Sequence, residues 1–147
     1  MQANLIEKRW PPWRRKRKSS NIQTPEFEGV KKSMIVCNSD LMKVMVQVVK
    51  DGGENNLHTH TGDDAFWYVM NGAVKFYGEG DTLIGEFKKG EGILIPRGFK
   101  YWFESCPGEP LEILRVTAKD QTVENKRVNL TAPKQWMIDQ GTPGVQA

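Results

Sequence analysis

Ala65-Phe66-Trp67-Tyr68-Val69-Met70-Asn71-Gly72-Ala73-Val74-Lys75-Phe76-Tyr77 sets two runs of aromatic and β-branched residues on either side of Asn-Gly. Such residues fit a pleated, half-buried surface, and Asn-Gly accepts the positive φ of a tight turn, so the stretch reads as an antiparallel hairpin. The same grammar recurs in both directions. Downstream lie Leu83 to Phe87, Ile93 to Ile95, Tyr101 to Phe103 and Leu111 to Ala118. Upstream lie Leu57 to His60, Leu41 to Val49 and Met34 to Cys37. Between them fall Asp51-Gly52-Gly53, Lys89-Gly90-Glu91-Gly92, Pro96-Arg97-Gly98 and Pro107-Gly108, all turn chemistry. No long stretch has helical period. Short strands at a spacing of about 8–12 residues predict an all-β sandwich or barrel.

The 147 residues allow one domain with a real core. Composition divides it into an N-terminal arm over residues 1–28, a barrel over 29–130 and a tail over 131–147. The arm holds Trp10-Pro11-Pro12-Trp13 and the block Arg14 to Lys18, which disfavour helix and strand, so it reads as extended. Residues 1–18 carry seven bases and one acid, a net +6, while the remaining residues carry 14 bases and 17 acids, a net −3. The overall +3 is therefore a property of the arm, and basicity is no guide to the body. Bases without a reading motif give only non-specific attraction to phosphates, so a nucleic-acid partner is not expected. No run approaches the length of a membrane span, and no apolar export segment flanks the early charges, which points to a cytoplasmic protein with Cys37 and Cys106 reduced. In the tail, Trp136-Met137-Ile138 is expected to fold back as a short helix or to cover an open sheet edge.

Side chains alternate faces along a strand. His58 and His60, two residues apart, therefore project together. If Ala65 faces inward, so do Trp67 and Val69, while Phe66, Tyr68 and Met70 face out. Tyr101 and Phe103 share the inner face and Trp102 the outer. The outward aromatics need a cover, which predicts a homodimer, with the arm or the Trp136 segment of the same chain as the alternative.

The placement of Gly52, five residues, His58-Thr59-His60 and Gly72, then Gly90, five residues, Pro96-Arg97-Gly98, resembles the two signature motifs of the cupin superfamily. The resemblance spans about Met34 to Ala118. It implies an antiparallel jelly-roll barrel, a double-stranded β-helix, that encloses a site for a small molecule. It also implies a mononuclear metal held by three histidines and a glutamate. Here the glutamate slot falls on Ala65 and the third histidine slot on Tyr101, so His58 and His60 alone remain in register. Asp64 is the carboxylate nearest the vacant slot and completes a candidate metal set of His58, His60 and Asp64, which would suit Fe, Mn, Ni or Zn. A metal-free cavity stands equally beside it, with His58 or His60 as base and Tyr101 as acid. Trp67, Phe103 and Arg97 are candidate substrate-binding residues, Arg97 as a cation at the mouth. The functional expectation is a small-molecule enzyme, by metal-dependent dioxygenase- or isomerase-like chemistry or by metal-free isomerase or epimerase chemistry. A non-enzymatic ligand-binding protein is the reading from another class.

Overall fold

The structure, a computed structural model, describes residues 26–142 and Val145. Most of the expected arm therefore lies outside the described residues. The strands are β1 (Lys31–Asn38), β2 (Met42–Val49), β3 (His58–His60), β4 (Asp63–Asn71), β5 (Ala73–Tyr77), β6 (Leu83–Lys88), β7 (Gly92–Ile95), β8 (Trp102–Ser105), β9 (Leu111–Lys119) and β10 (Arg127–Asn129). They form an all-β fold of antiparallel sheets. One sheet runs β1-β2-β9-β4-β7. Facing it, β6-β5-β8 is joined to β3-β10 by an antiparallel bridge between His58 and Tyr101, with backbone bonds of 3.1 and 3.0 Å in the two directions. Two facing five-strand layers closed in this way make the jelly-roll barrel.

The turn at Asn71-Gly72 forms, but the hairpin expected there does not: β4 pairs with β7 and β9 and β5 with β6 and β8, so Asn71-Gly72 carries the chain from one sheet to the facing one. Gly72 has φ of 77°, and an added Cβ would sit 2.9 Å from the carbonyl oxygen of Pro110, so both the turn and the close approach favour glycine. Along β4 the parity is the expected one: Ala65, Trp67 and Val69 are buried, while Phe66 and Tyr68 are exposed. Val69, Trp67, Phe76, Phe103, Leu111 and Ile113 anchor one contiguous core between the layers. The tail contributes a short helix, Gln135–Asp139, with Met137 buried. β10 has no counterpart among the sequence-predicted strands. It is three residues long and exists by pairing with β3, Arg127 opposite His60 and Asn129 opposite His58.

Candidate functional site

The barrel opens on a half-open cavity of about 1350 Å3 whose inner lining includes His58, His60, Trp67 and Tyr101 and whose outer rim reaches exposed residues such as Ile35 and Val123. β3 delivers both histidines to the same side, as period 2 dictates. Their rings meet edge to face with centroids 5.2 Å apart, and Tyr101 lies 4.6 Å from His58. Tyr101 occupies its place because its backbone bridges His58, and Trp67 and Phe76 wall it in at ring distances of 6.4 and 6.1 Å.

The carbonyl oxygen of Asn56 lies 2.8 Å from His58 Nδ1. A carbonyl only accepts, so Nδ1 carries the proton and Nε2 is the unprotonated nitrogen. His60 Nδ1 is buried with no hydrogen-bond partner. Burial lowers the pKa of both rings. For His58 the field of Arg127 adds to it and holds the value well below 6.5. For His60, Arg115 and Arg127 add to burial and bring it to about 3. Both imidazoles are thus neutral at physiological pH. Burial raises the pKa of Tyr101, so its phenol keeps its proton.

Three basic side chains that the sequence reading did not single out complete the site. Arg115 is on β9 opposite Trp67, with its guanidinium 5.2 Å from that ring and Nη2 donating to Asp63 Oδ1 at 3.3 Å. Arg127, on β10, is held by two neutral amides: Nη2 donates to Asn56 Oδ1 at 2.5 Å and Nε to Asn129 Oδ1 at 3.1 Å. Burial lowers its pKa to about 10, which leaves it charged near neutrality. Lys31, at the start of β1, is 7% exposed and packs its ammonium over the rings of Phe103 and Trp136, at 4.7 and 5.0 Å. Arg115 carried a readable signal, a charged residue in phase with the buried Leu111 and Ile113 of the same strand. Lys31 and Arg127 lie at strand ends, where nothing local marks them as facing the cavity.

Two sequence-predicted site residues are corrected. Asp64 is not beside the histidines. β4 runs without a bulge from Asp63 to Val69, so Asp64 keeps outward parity and the buried carboxylate is Asp63. Arg97 is not at the cavity mouth as a free cation. Its Nε donates to Asp64 Oδ1 at 3.1 Å, and its Nη1 pairs with Asp120 on the outer surface. Asp64 and Arg97 neutralise each other there, each pulling the other's pKa toward its charged form. Trp67 lines the cavity, whereas Phe103 is fully buried in the core and touches the site through Lys31.

The residues present do not fit a divalent metal. Two imidazoles need at least one further donor, and the inherited slots hold an alanine and a neutral phenol. Asp63, the only buried acidic side chain among the described residues, is engaged by Arg115 and Asn125. Among the described residues no three His, Cys, Asp or Glu side chains converge. The charges that act most on His60 are Arg115, Arg127 and Lys43, all of which repel a cation. The same field attracts an anion.

Residues 45–117 match the family model described as the cupin domain. Among solved structures, an RmlC-like cupin protein from Desulfovibrio desulfuricans is 22% identical, with a TM-score of 0.61 over 70% of this chain and 97% of that one. The cupin domain of Schizosaccharomyces pombe Cnp3 is 15% identical, with a TM-score of 0.59 over 67% and 72%. The DMSP lyase DddQ from Ruegeria pomeroyi is 16% identical, with a TM-score of 0.54 over 65% of this chain and 50% of that one. At these identities the likeness is one of fold. No curated protein matches the chain. No helix among the described residues is long and apolar enough to cross a membrane.

Proposed function

The chain belongs to the cupin superfamily, and from that premise we propose that its cavity binds a small anionic molecule and moves a proton on it without a metal. One observation carries the reading: neutral His58 and His60 and the neutral phenol of Tyr101 share a buried space with Arg127, whose guanidinium is held by asparagines instead of a carboxylate. A half-buried guanidinium with no carboxylate partner among the described residues is costly, and a carboxylate or phosphate from outside lowers the cost. In this scheme Arg127 and Arg115 orient the anion. His58 Nε2, unprotonated because Nδ1 is committed to Asn56, accepts a proton from the bound molecule, and the Tyr101 hydroxyl donates one on the other side. That is isomerase- or epimerase-type chemistry. If no proton moves, the same constellation is a binding protein for the same ligand class.

The experiment is calorimetric titration with small carboxylates and phosphates on chelator-treated protein, together with deuterium exchange into any ligand that binds. Binding that survives chelation and weakens in Arg127→Gln supports the reading. Stoichiometric metal in the purified protein, lost in His58→Ala, would overturn it. Two further features belong to the same proposal. A second copy covers Phe66, Tyr68 and Leu94, which lie together on the outer face, where Phe66 is in register with Leu94. The protein works in the cytoplasm, where its free Cys37 and Cys106 stay reduced.

A further inference from the structure

Among the described residues, Lys31 is the buried basic side chain of the cavity that the proton-transfer scheme leaves unused. A buried ammonium usually has a carboxylate partner. Here no carboxylate among the described residues forms an ion pair with it. Its neighbours are the faces of Phe103 and Trp136, an apolar clamp that fixes the amine without neutralising it. The backbone is pinned as well. Lys31 is paired with Val49, and its carbonyl accepts from Gln140 Nε2 at 3.1 Å. The side chain lines the same cavity as His58, Tyr101 and Arg127.

We propose that Lys31 is a nucleophile that captures the aldehyde or ketone group of a small carboxylate or phosphate, as an imine, inside the barrel. The proposal rests on the anion-binding reading above, since Arg127 and Arg115 hold the acid group while Lys31 meets the carbonyl. The lone pair of the neutral amine attacks the carbonyl carbon and forms the C–N bond. The carbonyl oxygen gains a proton and the nitrogen loses one, giving a carbinolamine. That hydroxyl takes up a proton and leaves as water, the nitrogen lone pair closes the C=N bond, and the iminium nitrogen gives up its remaining proton, so one water is released for each imine formed. No oxidant or reductant is consumed, and water reverses the step. The amine is in the form this chemistry needs. Burial, with Arg127 and Arg115 adding to it, lowers its pKa to about 7, against about 10.4 for an exposed lysine. Near neutrality about half of it is unprotonated, whereas an exposed lysine is almost wholly protonated.

The full chain is incubated with pyruvate and sodium cyanoborohydride at about pH 7.5, digested and mapped by mass spectrometry. The expected result is an adduct on Lys31 that forms on the order of tenfold or more faster than on exposed lysines such as Lys89. It is absent in Lys31→Met and Lys31→Arg, whose far-ultraviolet circular dichroism stays that of the unaltered chain. Lactate, which has the carboxylate and no carbonyl, is titrated in parallel. Lactate binding without a Lys31 adduct overturns the imine and leaves the anion site standing. A Lys31 adduct without lactate or phosphate binding overturns the anion reading and keeps the nucleophile. Neither binding nor adduct overturns both, and an adduct spread evenly over Lys31, Lys32 and Lys89 overturns the nucleophile.

Discussion

His60 shows how a single residue ties site chemistry to stability. In the unfolded chain its ring has the ordinary value of 6.5, and in the barrel it falls to about 3. Above 6.5 both states are neutral and the difference contributes nothing. As pH falls from 6.5 toward 3 the unfolded chain binds a proton that the native state refuses, so native stability is lost. The slope is about 1.4 kcal/mol per pH unit for one full proton, and His58 adds to it in the same direction. Replacing His60 by Gln is expected to remove its share, measured by urea unfolding across that window, and an unchanged slope would contradict the burial argument. Arg127 makes the complementary prediction. Arg127→Gln is expected to weaken binding of a small carboxylate or phosphate by about tenfold or more, since a charged hydrogen bond contributes about 1.5–3 kcal/mol. Equal affinity in calorimetry would place the anion elsewhere. The two aspartates show where sequence reading reached its limit at this scale. Asp63 and Asp64 are adjacent and identical in type, and only the strand register decides that Asp63 is buried with Arg115 while Asp64 meets Arg97 outside.

At the scale of elements, the strands that carry their own signal were legible. β4 and β5 declare themselves by alternation on either side of Asn71-Gly72, although they do not pair with each other, and the shared face of Ala65, Trp67 and Val69 followed from period 2. β10 did not, because Arg127-Val128-Asn129 has no apolar alternation and becomes a strand only against β3. The missed strand is also the one that brings Arg127 opposite His60. The terminal helix is intermediate. Its apolar residues predicted that Trp136-Met137-Ile138 would fold back as a short helix or cover an open edge, but not that it would dock beside the cavity. There Trp136 Nε1 donates to the Glu54 carbonyl at 2.7 Å and its ring contacts Lys31. Met137→Ala is expected to cost about 2–5 kcal/mol of stability, read as a lower unfolding midpoint in urea. It is also expected to loosen the clamp on Lys31 and slow trapping of that lysine. A loss of stability with unchanged trapping would show that the helix does not set the lysine's environment.

For the whole molecule, the site's charge is set against the fold. Lys31 has a folded pKa of about 7 against the ordinary 10.5. Below 7 both states are protonated and the native state bears the full cost of the buried charge. Between 7 and 10.5 the unfolded chain holds the proton that the native chain has lost, so stability rises with pH, and above 10.5 both are neutral. Lys31→Met is expected to raise stability at neutral pH and to flatten this rise, as urea unfolding from about pH 7 to 10 would show. Saturating phosphate is expected to raise the melting temperature of the unaltered chain more than that of the variant, because the anion compensates the same charge. The outer face makes a separate prediction. Light scattering is expected to give twice the chain mass, and Phe66→Asp with Leu94→Asp to give a single chain. A monomeric parent would remove the second copy from the proposal.

What the sequence by itself determined is the β alternation, the turns, the barrel class and the shared face of His58 and His60. Each of these depends on residues close along the chain, where period and turn chemistry act directly. The tertiary structure alone decided the character of the site. Lys31 on β1 lies far along the chain from Arg115 on β9 and Arg127 on β10, and the three meet the histidines only when the two layers close. Once they meet, burial and mutual repulsion hold the imidazoles neutral and the cavity positive. That collective field has no local signature. It is what favours the proposed reading of His58 and His60 as neutral bases beside an anion over that of a metal pair.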